Sequence, residues 1–204
     1  MIEGLLLAAG ESKRMGTPKM DSRLGRKTVL QLAIGAYTSS SVDDVIVVVS
    51  PRQSIGGLGS KKVRFVTNPS PSRGLSSSLK LGLRALRPDC ESVVIGLGDK
   101  PLVLPSTVNA LIAARRASGQ RIAVPVFGGV RGNPVLFERT AFPAMMRLDG
   151  DSGAREIIRK NPDDVAEVSV ADEGILLDID SPADMVRASE LMASRRSGRR
   201  GAGD

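Results

Sequence analysis

Two uninterrupted apolar runs, Val45-Ile46-Val47-Val48-Val49 and Val93-Val94-Ile95, constrain the fold of this 204-residue chain more than any other feature. A strand with one wet face alternates apolar and polar residues, whereas a strand covered on both faces has no need to. The second run extends to Leu97, and further β-rich runs at Ile2–Leu7, Val63–Val66, Ile122–Val126, Val135–Phe137, Val165–Val170 and Ile175–Leu177 predict additional strands. Between them apolar residues recur at helical spacing. Leu30, Ala33, Ile34 and Tyr37 share a face in Val29–Tyr37, and Leu75, Leu79, Leu83 and Leu86 do so in Leu75–Leu86. Ser106–Ala117 and Ala183–Ala193 follow the same period. The alternation predicts an α/β three-layer sandwich around a mainly parallel, Rossmann-like sheet. Ligands of such sheets bind beyond the carboxyl ends of the strands.

One domain is expected over residues 1–193, with Pro51–Lys62 as a surface loop rich in Gly and Ser. Residues 194–204 read as a basic, disordered tail. Its four arginines and one aspartate carry +3 of the net charge of +7, leaving a moderately basic body suited to polyphosphate ligands.

The residue inventory narrows the chemistry. The chain has no histidine and one cysteine, Cys90. That excludes an internal disulfide, a Cys/His zinc site, histidine acid–base catalysis and a Ser-His-Asp triad. A metal would have to be a hard, oxygen-liganded ion such as Mg²⁺. Phosphoryl or nucleotidyl transfer suits this inventory, because positioning and charge neutralisation carry most of its catalysis. With one Tyr, four Phe and no Trp, an aromatic platform for single-stranded nucleic acid is not expected. No run is long enough to cross a membrane, and Ile2–Leu7 is too short for a signal segment, so a cytoplasmic protein is expected.

Four segments carry candidate site residues. Ile2–Leu7 runs into Ala8-Ala9-Gly10-Glu11-Ser12-Lys13-Arg14-Met15-Gly16, and Lys19 follows. Small residues let backbone N–H groups approach phosphates, while Lys13, Arg14 and Lys19 offer positive charge. Gly74-Leu75-Ser76-Ser77-Ser78-Leu79 opens a helix whose hydroxyls suit capping and whose N-terminus suits an anionic or polar ligand. Asp99, in Gly96-Leu97-Gly98-Asp99-Lys100-Pro101, follows a buried strand and falls at the ligand edge of the sheet, unless it serves an Asx-turn. In Asp178-Ile179-Asp180-Ser181-Pro182-Ala183-Asp184, strand alternation places Asp178 and Asp180 on one face. Ser181-Pro182 reads as a helix start, and Asp184 as a complement to the helix dipole.

The order Leu7-Ala8-Ala9-Gly10, Ser12, Arg14-Met15-Gly16, Lys19 resembles the first loop of the MobA-like NTP transferases, and the resemblance extends over about residues 2–190. Gly132-Asn133-Pro134-Val135-Leu136-Phe137 and Gly150-Asp151-Ser152-Gly153-Ala154-Arg155 are similar to segments of the branch that handles the molybdenum cofactor, above all its cytidylyltransferases (MocA-like). The resemblance implies a nucleotidyltransferase fold. It implies that Ala8, Ala9, Gly10, Ser12, Arg14 and Lys19 wrap an NTP, with Gly74, Ser76 and Ser77 beside its base and ribose. Asp99 and Asp180 would hold Mg²⁺, and Asn133, Asp151 and Arg155 would line the acceptor side. Lys19, Arg14 and Asp99 would be catalytic. Asn133 stands where the family pattern has His, keeping hydrogen bonding without a titratable proton.

The implied reaction moves CMP from CTP to the terminal phosphate of a molybdopterin cofactor and releases pyrophosphate. A molybdoenzyme or its chaperone is a further implied partner. Three alternatives remain at this point: a GTP-using guanylyltransferase, a sugar-1-phosphate nucleotidylyltransferase, and a non-catalytic nucleotide-binding accessory protein of a molybdoenzyme. Leu7-Ala8-Ala9-Gly10 weighs against the first, whose loop more often reads Leu-Ala-Gly-Gly. The Gly150–Arg155 segment weighs against the second. The presence of Lys19, Asp99 and Asp180 weighs against the third.

Overall fold

The computed structural model describes residues 1–10, 19–151 and 153–200. The main elements in chain order are β1 (Ile2–Ala8), α1 (Val29–Thr38), β2 (Asp44–Val49), β3 (Val63–Thr67), α2 (Leu75–Ala85), β4 (Ser92–Leu97), α3 (Pro105–Ser118), β5 (Ile122–Phe127), β6 (Val135–Glu138), α4 (Arg155–Lys160), β7 (Val165–Ser169) and α5 (Pro182–Arg200). The strands line up as β7-β5-β6-β4-β1-β2-β3, and a short strand, Val130–Arg131, folds back on β5. β1 runs parallel to both β2 and β4, and β5 runs parallel to β7. Only β6 runs against its two neighbours in this row. The architecture is therefore a mixed α/β sandwich on a mostly parallel central sheet.

The apolar runs occupy its centre. Val45, Ile46, Val47 and Val48 of β2 are all 0% exposed, as are Val93 and Val94 of β4. Two separate clusters account for this. Leu6, Val45, Val47 and Val94 pack on one face with α1, α3 and α5, while Leu5, Ile46, Val48 and Val93 pack on the other with α2 and α4. Each such side chain taken fully from water contributes about 1.5–3 kcal/mol. Both faces being dry is why these strands show no alternation. α1 begins with a reciprocal cap, Gln31 N–H donating to Thr28 Oγ1 and Thr28 N–H to Gln31 Oε1.

One expectation needs correction. Ile175–Leu177 is not a strand: Glu173–Ile175 is a turn of 3₁₀ helix and the chain beyond it is irregular. Asp172, 1% exposed, accepts from the N–H groups of Gly174 and Leu104 and from the Thr107 hydroxyl, and these bonds bend the segment away from the sheet. Within the residues expected as a tail, α5 continues to Arg200, and residues 201–204 lie outside the described residues. Arg195 fastens α5 by donating to Leu102 O and Asp172 Oδ1, each at 2.6 Å. A run of arginines that reads as a solvated tail thus includes one that satisfies a buried carboxylate.

Candidate active site

The carboxyl ends of β1 and β4 lie side by side, with Leu7 opposite Leu97 and Gly98 N–H donating to Leu7 O. Gly98 is required for this approach: a Cβ there would lie 2.7 Å from the Cβ of Ala8. Ala8 and Ala9 are buried and Gly10 is exposed. Ser12 and Arg14 lie outside the described residues, and Lys19 opens a short 3₁₀ turn, Lys19–Asp21.

Lys19 reaches back to the strand ends. Its ammonium donates to Asp99 Oδ2 at 2.6 Å and to Asp180 Oδ1 at 2.9 Å. The Lys19 and Asp99 side chains are 11% and 17% exposed, and that of Asp180 is 49% exposed. Burial works against the charge on Lys19, but Asp99 and Asp180 outweigh it and hold the amine above its ordinary pKa. Burial raises the pKa of Asp99, and Lys19 opposes the rise.

Asp180 reaches this cluster without a strand beneath it. Ile179, fully buried, donates its N–H to Asp99 O at 2.9 Å, so the Asp178-Ile179-Asp180 segment is stitched to the Asp99 loop. The flanking aspartates then part company: Asp178 Oδ1 pairs with the Lys100 ammonium at 2.6 Å, and Asp180 takes Lys19. Asp184 does more than complement a dipole. Its carboxylate accepts from the N–H groups of Asp180 and Ser181 and from the Ser181 hydroxyl, which holds Asp180 at the start of α5. The Ser181 hydroxyl bond leads the causes that keep the Asp184 carboxyl below its ordinary pKa.

Asp99 and Asp180 suit a divalent cation. The space between their inner oxygens already takes a positive charge, and Asp99 Oδ1 is a buried oxygen with no hydrogen-bond partner among the described residues. No group of three or more acidic or cysteine side chains is placed to bind a metal among the described residues. A two-carboxylate site matches Mg²⁺, which keeps waters and takes substrate phosphates as its remaining ligands.

The Gly74–Ser78 segment forms an adjoining wall. Gly74 has φ +91°, and a Cβ there would lie 2.4 Å from the Gly150 backbone and 2.8 Å from Asp151 Oδ1. Ser76 is 1% exposed, and its N–H donates to Gly150 O. The serine hydroxyls do not cap α2. Ser77 Oγ donates to Gly74 O, and the Asn68 amide donates to Ser77 Oγ and Ser78 Oγ. Polar bonding is thus spent on rigidity here, and Asn68, which sequence reasoning did not single out, organises it.

Next to the strand ends is a cavity of about 570 Å³. Its apolar lining includes Leu7, Leu75, Leu79, Leu97, Val135 and Phe137, and its polar lining is Asn133, Asp151, Arg131, Arg155 and Arg159. The three acceptor-side residues expected from sequence, Asn133, Asp151 and Arg155, therefore meet in one pocket. Arg131 and Arg159 are additions to this pocket; Lys100, which pairs with Asp178, is an addition to the acidic cluster, and its position directly after Asp99 was the available signal. Arginines on an apolar cavity suit a ligand with an anionic group on a less polar body.

Comparison with known proteins agrees with the family and the fold. Residues 4–165 match the model of the MobA-like NTP transferase domain. The chain is 32% identical over 197 residues to the purine catabolism protein PucB of Bacillus subtilis (strain 168), covering 90% of this chain and 95% of that one. It is 27% identical to the nicotine blue oxidoreductase of Paenarthrobacter nicotinovorans, over 91% of this chain and 95% of that one. It is 23% identical to the molybdenum cofactor cytidylyltransferase of Escherichia coli (strain K12), over 93% and 96%. Among solved structures, Rv0371c of Mycobacterium tuberculosis H37Rv in complex with manganese superposes with a TM-score of 0.74 at 26% identity, covering 93% of this chain and 97% of that one.

Proposed function

The chain belongs to the MobA-like NTP transferase domain family, and from that premise we propose that it transfers CMP from CTP to the terminal phosphate of a molybdopterin-type cofactor, releasing pyrophosphate. The observation that carries this reading is the meeting of Lys19, Asp99 and Asp180 at the ends of β1 and β4, beside a cavity lined by Asn133, Asp151 and Arg155. Cytidylyl rather than guanylyl transfer is supported by Leu7-Ala8-Ala9-Gly10; relatives named for each of the two transfers match the chain.

Chemically, an oxygen of the acceptor phosphate attacks the α-phosphorus of CTP. The bond from the α-phosphorus to the oxygen bridging toward the β-phosphorus breaks, and pyrophosphate carries that electron pair away. No general base is required, because a phosphate monoester is ionised near neutral pH. Asp99 and Asp180 would hold Mg²⁺, which when bound would neutralise charge on the phosphates. Lys19 donates to the α-phosphate oxygens, where charge is redistributed in the transition state. Arg14 and the Ala8-Ala9-Gly10-Ser12 loop hold the β- and γ-phosphates. Gly74, Ser76 and Ser77 present the start of α2 to the nucleoside. Arg155, with Asn133 and Asp151, orients the acceptor phosphate and head group in the cavity.

The test is pyrophosphate release by the purified protein with Mg²⁺, each of the four NTPs, and a molybdopterin-type acceptor. Release that requires the acceptor and is fastest with CTP supports the reading. Release that is independent of the acceptor, or that occurs with sugar 1-phosphates instead, refutes it.

A further inference from the structure

We propose that Asn68 is a positioning residue for both substrates: it fixes the start of α2, and the start of α2 fixes the Gly150–Asp151 turn of the acceptor cavity. This deepens the function proposed above and rests on it for the identity of the two substrates. Asn68 itself does not line the cavity.

Asn68 follows β3 directly and is 1% exposed, so its polar atoms must find partners inside the protein. Its N–H donates to Val49 O, at the end of β2, at 2.8 Å. The N–H of Ser70 donates to Asn68 Oδ1 at 2.9 Å. That donor fixes the orientation of the amide, with its nitrogen turned toward α2. The nitrogen donates to Ser77 Oγ and to Ser78 Oγ, each at 2.9 Å. Ser77 Oγ gives its own proton to Gly74 O at 2.8 Å. One side chain thus ties the first turn of α2 to the end of a central strand.

The first turn of α2 meets the acceptor cavity at three consecutive residues. Gly74 lies so close to the Gly150 backbone and Asp151 that neither can approach further. Leu75 packs on Gly153, where a Cβ would lie 3.0 Å from Leu75 Cδ2, and both residues line the cavity. Ser76 N–H donates to Gly150 O at 3.1 Å. A shift of this turn in one direction collides with Gly150, and a shift in the other breaks the Ser76 bond. The wall assigned to the nucleoside and the turn that carries Asp151 therefore move together, and Asn68 holds both. A misplacement of about 1 Å is enough to cost a reaction on the order of 100-fold.

The experiment compares wild type with Asn68→Ala, Asn68→Asp and the control Asn109→Ala. Asn68→Asp keeps an acceptor for Ser70 N–H but donates nothing to the serines, and Ser77 can turn to it only by giving up Gly74 O. Asn109→Ala removes the acceptor of Ser41 N–H, a bond outside the cavity and the acidic cluster. Steady-state pyrophosphate release gives kcat and both KM values, nuclear magnetic resonance gives amide exchange at Ser76, and thermal melting gives Tm. Both Asn68 variants should raise KM for CTP and KM for the acceptor by about tenfold each, with a smaller fall in kcat. The Ser76 amide should exchange about tenfold faster. Asn109→Ala should lower Tm without moving either KM or Ser76 exchange. Asn68→Asp keeps the test decisive if Asn68→Ala does not fold. A raised KM for CTP with an unchanged KM for the acceptor overturns the inference, as does a lowered Tm with neither KM moved; the proposed function stands in both cases. If wild type releases no pyrophosphate, the proposed function fails, and Ser76 exchange still decides whether Asn68 holds the two walls together: faster exchange in the Asn68 variants supports it and unchanged exchange overturns it.

Discussion

The backbone N–H of Ile179 donates to the carbonyl oxygen of Asp99 at 2.9 Å. This single bond joins two segments 80 residues apart in the chain and determines which acidic side chains can share a ligand. With Ile179 buried between them, Asp178 is committed to Lys100, and Asp180 faces Lys19 and Asp99.

Asp99→Ala and Asp180→Ala should each lower turnover by about 100-fold or more, a barrier increase of about 2.7 kcal/mol. Asp178→Ala should act differently, costing on the order of 1–3 kcal/mol of stability because the buried Lys100 ammonium loses its partner. Steady-state kinetics combined with thermal melting separates the two. Near-normal turnover in Asp180→Ala with a loss in Asp178→Ala would reverse the assignment.

For Lys19→Ala, kcat should fall by a larger factor than KM for the nucleotide rises, since a cation on the α-phosphate contributes most in the transition state. An unchanged kcat with a raised KM would make Lys19 a docking residue only.

Asp172→Ala should destabilise the fold by about 3 kcal/mol, because it leaves Arg195 without its carboxylate and removes the acceptor of Leu104 N–H and the Thr107 hydroxyl. For a domain of this size that is a fall in Tm of about 6–12 °C. If residues from 194 onward were a dispensable tail, truncation before Arg195 would leave Tm unchanged; the ion pair predicts that it falls.

Alkaline pH should weaken the fold through two buried acids. Burial pushes the Cys90 thiol up to about 11 and raises Tyr37 above the ordinary phenol range. The unfolded chain gives up these protons near pH 9 and 10, before the folded chain does, so unfolding releases protons and stability declines as pH rises through this range. Denaturant melts between pH 8 and 11 should show the decline. Cys90 should resist alkylation at pH 8 until the protein unfolds; rapid labelling of the native protein would contradict its burial.

Much of the fold was legible because burial on both faces leaves an unmistakable pattern, as in Val45–Val49, and because helical spacing marked α1, α2 and α3. The apolar residues of Ile175–Leu177 carried the same local pattern, yet Asp172 and its distant partners turn that segment away from the sheet. The first loop pointed to Lys19, and the position of Asp99 at a strand end was readable in advance. Alternation alone did not separate Asp178 from Asp180, since both obey it; the resemblance singled out Asp180, and the structure adds that Asp178 pairs with Lys100 and Asp180 with Lys19. The dependence of Gly74 on Gly150 and of α5 on Arg195 likewise arises from contacts across the fold, which spacing along a chain does not encode.

The central claim is tested most directly by pyrophosphate release in the presence of Mg²⁺ and a molybdopterin-type acceptor, with CTP and GTP compared at equal concentration. A site built around one base leaves polar groups unpaired against the other, at a cost of about 1–3 kcal/mol. The account predicts acceptor-dependent release with kcat/KM for CTP about tenfold or more above that for GTP. Equal or better use of GTP would contradict the cytidylyl assignment, and no release with any nucleotide would contradict the proposed activity altogether.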